Sequence, residues 1–511
     1  MRRITAEQAA AALRDGDTLL VGGSGGGHAV PDALLEALGR RFRETGAPRG
    51  ITALHPVGLG DGKQRGAGHL AQEGLLKRIV CGTFVNSPEI ARLALDERIE
   101  GYTLPQGALS QLMREMAAGR AGLLTKVGLN TFVDPRLGGG RQSRRAAEDL
   151  VQLVTMNGEE YLLYRPYRVD VAFIRGSEID EAGNLSMEHE AVTLEMLSMA
   201  QATRRQGGLV IAQAKRLVPR GTLHPKMVKV PGILVDACVI VPDQWQTYET
   251  EDSPAYSGHR RVALDEVPKL PPGPRRIIAR RGALELFEGA VCNLGSGVST
   301  GIANVAAEEG VLHRVCLTNE QGNIGGAPAG GNEAGAAISP DAQLDQPYQF
   351  DFYDGGGLDL AFLSFAEFDA EGNVNVSRFG GRIVGPGGFI NISQGARRVI
   401  FGGTLTAGGA RKAVRRVEQV TFSGPYGWQR GQEVLYVTDR AVFRLGPDGP
   451  ELIEVAPGLD VEQDIIAAME FRPAVSPALR RMDPCLFADG PMGLSARLPG
   501  RAVRAAQERL P

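Results

Sequence analysis

Twice in this chain a short apolar strand runs into a glycine turn and straight on into an apolar helix. Thr18–Val21 precedes Gly23-Ser24-Gly25 and a helix starting near Pro31 and Asp32; Val291–Leu294 precedes Gly295-Ser296-Gly297 and a helix over Ser299–Glu309, ended by Gly310. Strands that alternate with helices bury both apolar faces when the strands form a largely parallel sheet covered by helices, an α/β architecture. A second echo points to duplication. The runs DEAGN at 180–184 and DAEGN at 369–373 are both D-x-x-G-N turns leading into strand-like stretches. The interval between the two signals is longer in the first half, which an insertion explains, with residues 60–140 as the natural candidate.

Length agrees with two cores, since 511 residues exceed what one core usually supports. The proline-rich run PKLPPGPRR at 268–276 cannot form a regular ladder and is the expected linker, giving domains over 1–270 and 275–511. A net charge of −3 gives no reason to expect nucleic acid or an anionic membrane as partner. The five cysteines are scattered and free of CxxC spacing, which argues against a disulfide framework or structural zinc and for a reducing cytoplasm. The first residues read as a helix with a capping box from Thr5 to Gln8, ended by Gly16, with no apolar signal-peptide core. No run approaches 18 consecutive apolar residues, so no membrane span is expected.

The glycine loops are not nucleotide motifs. GSGVSTG at 295–301 is GxGxxxG rather than GxGxxG, GGSGGGHAV misses that spacing as well, and neither carries the GK[ST] of a P-loop. The seven histidines show no metal-ligand spacing, and no metal is expected. His28, His55, His69 and His224 read as loop hydrogen-bonders, with His69 either structural or lining a cleft.

The stretch that points to chemistry is LTNEQGNIGGAPAGG, 317–331. It sets one carboxylate, Glu320, between a short apolar run and a glycine loop. Ligands of open α/β sheets bind outside the carboxyl ends of strands, where this Glu is expected. Gly322, Gly325 and Gly326 have no side chains, so a bulky partner could approach their backbone. Alone, an EQG tripeptide reads as a solvated turn; its company overturns that. Three clusters follow: DQPYQFDFYDGGGLDLAF at 345–362, DAEGNVNVSRFG at 369–380 and GPGGFINISQ at 385–394. Successive amides at Gly387 and Gly388 could converge on one oxygen as an oxyanion hole.

In order and number these pieces resemble the family I CoA-transferases, specifically the single-chain short-chain acyl-CoA:acetate or 3-ketoacid transferases and propionate CoA-transferases. The first half adds GDGKQRGAGHLAQEGLLKR (60–78), YTLPQGALSQLMRE (102–115) and LLTKVGLNTFVDPRLGGG (123–140). The resemblance implies two similarly folded open α/β halves in one chain, α-like then β-like, with the active site near their interface. It maps the family's nucleophilic glutamate onto Glu320. It maps the G-x-G-G-F element that holds the acyl oxygen and CoA onto Gly385, Gly387, Gly388 and Phe389. Asn319, GGNEAG and HAVPDAL depart from the family pattern and leave the acyl pocket open. Arg175, Arg280, Arg281 and Lys126 are equally readable as partners of CoA phosphates or as surface charges, and are not assigned.

The implied activity is CoA transfer between a short-chain acyl-CoA and a small carboxylic acid through a glutamyl-CoA thioester. CoA is then a substrate and no permanently bound cofactor is expected. Two rivals remain at this level: an acyl-CoA hydrolase using the same Glu320, and a non-catalytic ligand-binding module. A homo-oligomer, dimer or tetramer, is also expected from the resemblance.

Overall fold

The computed structural model describes residues 1–264 and 269–500. Two sheets of ten strands dominate it. In the first, the strands run in the order Arg2–Arg3, Ala237–Ile240, Leu209–Val218, Val171–Asp180, Thr18–Val21, Ile51–His55, Leu76–Cys81 and Glu100–Thr103. Every pairing along that path is parallel. In the second, Cys316–Thr318, Val291–Leu294, Leu360–Ser364, Arg398–Gly402 and Glu433–Val437 are parallel neighbours. Antiparallel strands extend that sheet on both sides.

The central strands are buried on both faces because each sheet has a core on either side. Leu20, Leu54, Val80 and Ile174 point to one cluster of the first sheet; Leu19, Val21, Ile79 and Phe173 point to the other. The period-two alternation of a strand produces that division. In the second sheet, Phe362 and Ile400 face one cluster while Ala361, Val399 and Phe401 face the other.

Duplication holds in detail. Asp180 accepts from the amides of Ala182 and Asn184 at 2.8 and 2.9 Å and from Asn184 Nδ2 at 2.9 Å. Asp369 repeats the pattern with Glu371, Asn373 and Asn373 Nδ2 at 3.0, 3.0 and 3.1 Å. Asp180 ends Val171–Asp180, the strand next to Thr18–Val21, whereas Asp369 ends the short strand Glu367–Asp369 that follows Leu360–Ser364, the strand next to Val291–Leu294. Between these landmarks the first half carries the strands 76–81 and 100–103. It also carries a small three-stranded sheet of Leu123–Thr125, Glu159–Tyr164 and Val151–Met156, so the extra material continues past 140.

The capping box at Thr5 and Gln8 forms, but the helix spans only Ala6–Ala11. Gly16, at φ +80°, turns the chain into the next strand, its N–H bonded to the Arg49 carbonyl, instead of capping the helix. The helix expected over 299–309 is split into a 3₁₀ turn at Gly297–Thr300 and a helix at Gly301–Glu308. Of the proline-rich run, Pro268 lies outside the described residues, and Pro274–Ala283 is already helical with Pro in its first turn.

One segment of the second half lies in the first. Ile383 belongs to the core under the strands 51–55 and 76–81, and Ile390 packs with Leu109, Leu112 and Met113. Between them the chain is tied down by main-chain bonds. Phe84 N–H donates to Val384 O at 2.6 Å, Gly387 N–H to Gly82 O at 2.9 Å, and Gln106 N–H to Gly387 O at 2.9 Å.

Candidate active site

Glu320 stands on the turn of a hairpin at the carboxyl end of Cys316–Thr318. Thr318 pairs with Ile324, Asn319 N–H donates to Asn323 O at 3.1 Å, and Gly322 N–H returns to Asn319 O at 3.3 Å. Gly322 has φ +118°, and a Cβ there would stand 2.0 Å from Leu344 O, so this corner of the hairpin accepts only glycine. Asn319 turns away from the site. Its amide donates to the carbonyls of Gly335 and Ala336 at 2.9 and 3.3 Å, stapling the 331–336 loop to the hairpin.

The carboxyl group is enclosed by protein, although the residue keeps some exposed surface. Burial pushes its pKa above the ordinary carboxylate value, while hydrogen bonds from its own backbone, Asn293 and Gln321 pull the other way. Asn293 lies one residue before the end of the neighbouring strand Val291–Leu294, and its amide also reaches the Tyr353 hydroxyl at 3.3 Å. That hydroxyl is fixed by Thr318 Oγ1 at 2.7 Å and Gln349 Nε2 at 3.0 Å. A polar wall of Asn293, Thr318, Gln349 and Tyr353 therefore holds the back of the site.

The two halves meet at Glu320. Gln321 Nε2 lies 3.4 Å from Glu320 Oε1 and 3.5 Å from Ser24 Oγ on the first glycine loop. That loop abuts the 331–336 loop so closely that a Cβ on Gly26 would stand 2.1 Å from Asn332 O. His28 is enclosed there, and burial lowers its pKa to about 4, so its ring is neutral at neutral pH. Opposite, a Cβ on Gly388 would stand 3.3 Å from Glu320 Cγ. Gln106 Oε1 lies 3.8 Å from where a Cβ of Gly387 would be.

These positions revise several expectations. Gly387 N–H is already bonded to Gly82 O, so it is not a free oxyanion donor; among the described residues only the Gly388 N–H of that pair has no protein acceptor. Gly322 and Gly325 are buried, and a Cβ on Gly325 or Gly326 would meet Asp341 Oδ2 at 2.0 Å or Ile338 O at 2.3 Å. Their missing side chains serve the packing of the hairpin, not the approach of a ligand. Gly385, at φ +89°, packs on Gly82, Thr83 and Thr103 of the first half. Phe389 is a core residue, 8% exposed and stacked on Phe401 at 5.6 Å.

The cations left unassigned also resolve. Arg175 pairs with Glu190, Arg280 with Glu308 and three carbonyls, and Arg281 with Glu454 and Glu285, all buried. Lys126 is an exposed partner of Glu159. His69 Nε2 lies 3.5 Å from Asp32 Oδ1, His55 caps the Val57 carbonyl, and His224 Nδ1 accepts from Lys226 N–H. His189 does meet two carboxylates, Glu178 and Glu188, within 4.8 Å. Arg216 fills that space, pairing with Glu178 at 2.6 Å and reaching His189 Nε2 at 3.4 Å.

Sequence reasoning passed over Gln106, Asn293, Gln321, Ser24 and Tyr353 as individual residues. Asn293 and Ser24 lay in the strand and glycine turn already noted, and a polar residue inside an apolar strand just before its glycine turn was the signal available.

Comparison with known proteins agrees with this geometry. The coenzyme A transferase family profile matches residues 3–240. The chain is 43% identical over 510 residues to the acetate CoA-transferase YdiF of Escherichia coli K12, covering 96% of each. It is 41% identical to the caffeate CoA-transferase of Acetobacterium woodii, covering 95% of this chain and 97% of that one. The apoenzyme of the E. coli O157:H7 acyl-CoA transferase YdiF superimposes with a TM-score of 0.93 at 42% identity, and its thioester complex with CoA with 0.93 at 41%, each over 98% of both chains. The chain, with its two fused α/β halves, belongs to the coenzyme A transferase family and is a CoA-transferase.

Proposed function

We propose that the enzyme transfers CoA between a short-chain acyl-CoA and an acceptor carboxylic acid by a ping-pong route, with Glu320 as the nucleophile. The observation that carries this is the meeting of Glu320 with the Gly388 turn, beside the contact of Gln321 with Ser24 of the first half. A carboxylate oxygen of Glu320 attacks the thioester carbonyl; the C–S bond breaks, giving an acyl-glutamyl anhydride and CoA thiolate. The thiolate then attacks the glutamyl carbonyl, forming the Glu320–CoA thioester and releasing the donor acid as its carboxylate. An acceptor carboxylate runs both steps in reverse. One thioester replaces another, so the exchange needs no external energy source.

The Gly388 N–H is the donor suited to the developing oxyanion, a contribution typically on the order of 3 kcal/mol. Gly387, with its amide engaged, sets the turn that aims it. The abutting 22–28 and 331–336 loops exclude water from the anhydride and thioester. Small acids such as acetate are the proposed acceptors, and CoA is a substrate. The five free thiols fit a cytoplasmic location, and a homo-oligomer is the proposed assembly. Domains of 1–270 and 275–511 remain the proposed division.

The test is mass spectrometry after incubation with propionyl-CoA or acetyl-CoA and trapping with borohydride or hydroxylamine. Modification confined to the Glu320 peptide is expected. Turnover without any Glu320 adduct overturns the covalent route.

A further inference from the structure

A short antiparallel hairpin, Ala327–Pro328 against Ala337–Ile338, has its tip bolted at two points. On the inner side Gly335 O accepts from Asn319 Nδ2 at 2.9 Å and from Asn323 Nδ2 at 3.0 Å. A Cβ on Gly335 would stand 3.2 Å from Gln321 Cδ. These contacts fix the tip to the turn that carries Glu320. On the outer side, two residues earlier, Glu333 reaches the first half. Its Oε1 accepts from Thr247 Oγ1 at 2.6 Å and its Oε2 from Thr250 Oγ1 at 3.2 Å, and Tyr256 bonds it through its hydroxyl.

Thr247 leaves no freedom in this contact. A hydroxyl has one proton to give and two lone pairs to receive with. Both lone pairs of Thr247 Oγ1 are taken, by Glu249 N–H at 3.1 Å and Thr250 N–H at 2.9 Å, so its proton is left for Glu333. Thr247 is 2% exposed, and a buried donor without an acceptor is costly. The bolt presses the first glycine loop between the hairpin tip and the Thr247–Tyr248 segment. Tyr248 N–H donates to Gly26 O at 2.8 Å, and a Cβ on Gly27 would stand 2.6 Å from Tyr248 N. Asn332 Nδ2 adds a bond to Glu249 Oε1. His28 of that loop is 0% exposed, and Ser24 is the partner of Gln321 beside Glu320.

We propose that Glu333 is a positioning residue that keeps CoA transfer from turning into hydrolysis: by holding the 331–336 loop on Thr247, Thr250 and Tyr256 it keeps water off the Glu320–CoA thioester. The inference rests on the reading of Glu320 as the nucleophile. In the reaction held back, a water oxygen attacks the glutamyl carbonyl and the C–S bond breaks. Glu320 returns as its carboxylate, one proton passing to the CoA thiolate and one to solvent. Glu333 acts only through the loops it joins.

The test follows two rates in the full-length enzyme: CoA exchange between propionyl-CoA and acetate, and release of free CoA from propionyl-CoA with no acceptor acid. In E333A the ratio of free CoA release to exchange is expected to rise about tenfold, in the range of coupling between contacting residues. The double variant T250V/Y256F loosens the same latch from the first half and is expected to shift the ratio in the same direction. E333Q keeps an oxygen for Thr247, and its NH2 can bond the other two hydroxyls, so it is expected to stay near the wild-type ratio. A merely structural role lowers both rates together. An unchanged ratio in E333A or in T250V/Y256F therefore overturns the proposal, as does leakage in E333Q equal to that in E333A. T250V/Y256F decides alone should E333A not fold. Trapping of the Glu320 adduct is followed alongside: its absence from the wild-type enzyme overturns the underlying site and the latch together, whereas its presence with an unchanged ratio overturns the latch alone.

Discussion

Gly388 caps the helix Phe389–Gly395 and Glu320 sits on the hairpin after Cys316–Thr318, yet a single methyl group on Gly388 would stand 3.3 Å from the Glu320 Cγ and 3.1 Å from Ile392 Cδ1. Gly388 itself has φ −79° and ψ −6°, which any residue adopts. Gly388→Ala therefore tests space and not backbone strain. We expect normal folding and a fall in kcat of about 10- to 100-fold, since small displacements of reacting groups are that costly. Steady-state kinetics with matched melting curves check it; unchanged kcat would mean that Glu320 has room to spare.

Asn293 bonds Glu320 and so favours its charged form. Its loss raises the Glu320 pKa further. The nucleophile must be ionised, so the acid limb of the kcat/KM profile should move to higher pH in Asn293→Ala. A profile whose acid limb stays in place would remove Asn293 from the electrostatics of the site.

Gly385 is required for geometry. At φ +89°, with Gly82 O and Thr103 Cγ2 both 2.9 Å from any Cβ, Gly385→Ala is strained and overpacked together. We expect a loss of stability of about 2 kcal/mol or more and loosening of the 384–387 segment. Denaturant titration with hydrogen exchange on the 82–84 loop reads both effects.

Asp354 titrates at about 7 because burial outweighs the bonds from Asn391 and Gln111, with Asp351 pushing the same way as burial. Its folded pKa lies above its unfolded value near 4, so the native state binds more protons between those values. Stability then falls as pH rises from about 4 to 7 and levels off above, an effect on the order of 4 kcal/mol. Asp354→Asn should remove that slope. Melting temperatures of both proteins across pH 5 to 8 decide it: parallel curves would refute the assignment.

Much of the fold could be read from the chain because it rests on local patterns. The strand–glycine–helix units at 18–45 and 291–308 and the two D-x-x-G-N turns are short-range features. Glu320 was legible for the same reason, sitting between a strand end and a glycine turn. The roles of Gly387, Phe389 and Gly325 were not, because each depends on a partner outside its own motif: Gly82 for the first, Phe401 for the second, Asp341 for the third. A glycine pressed against its own hairpin and one opened to a ligand look alike in sequence. Gln106 was hidden likewise, since its bond to Gln346 exists only after the two halves have met.

The bonds that carry the second half onto the first at 82–84, 106 and 384–387 run mostly from main chain to main chain, as do Phe132 N–H to Val420 O at 2.8 Å and Gln346 N–H to Leu194 O at 3.0 Å. Away from the glycines its turns require, the main-chain part of that seam depends little on which side chains flank it. Substitutions around the cleft can therefore accumulate, and new acids be admitted, while the nucleophile keeps its alignment with the glycine turn. The enzyme's chemistry is insulated from the drift of its specificity.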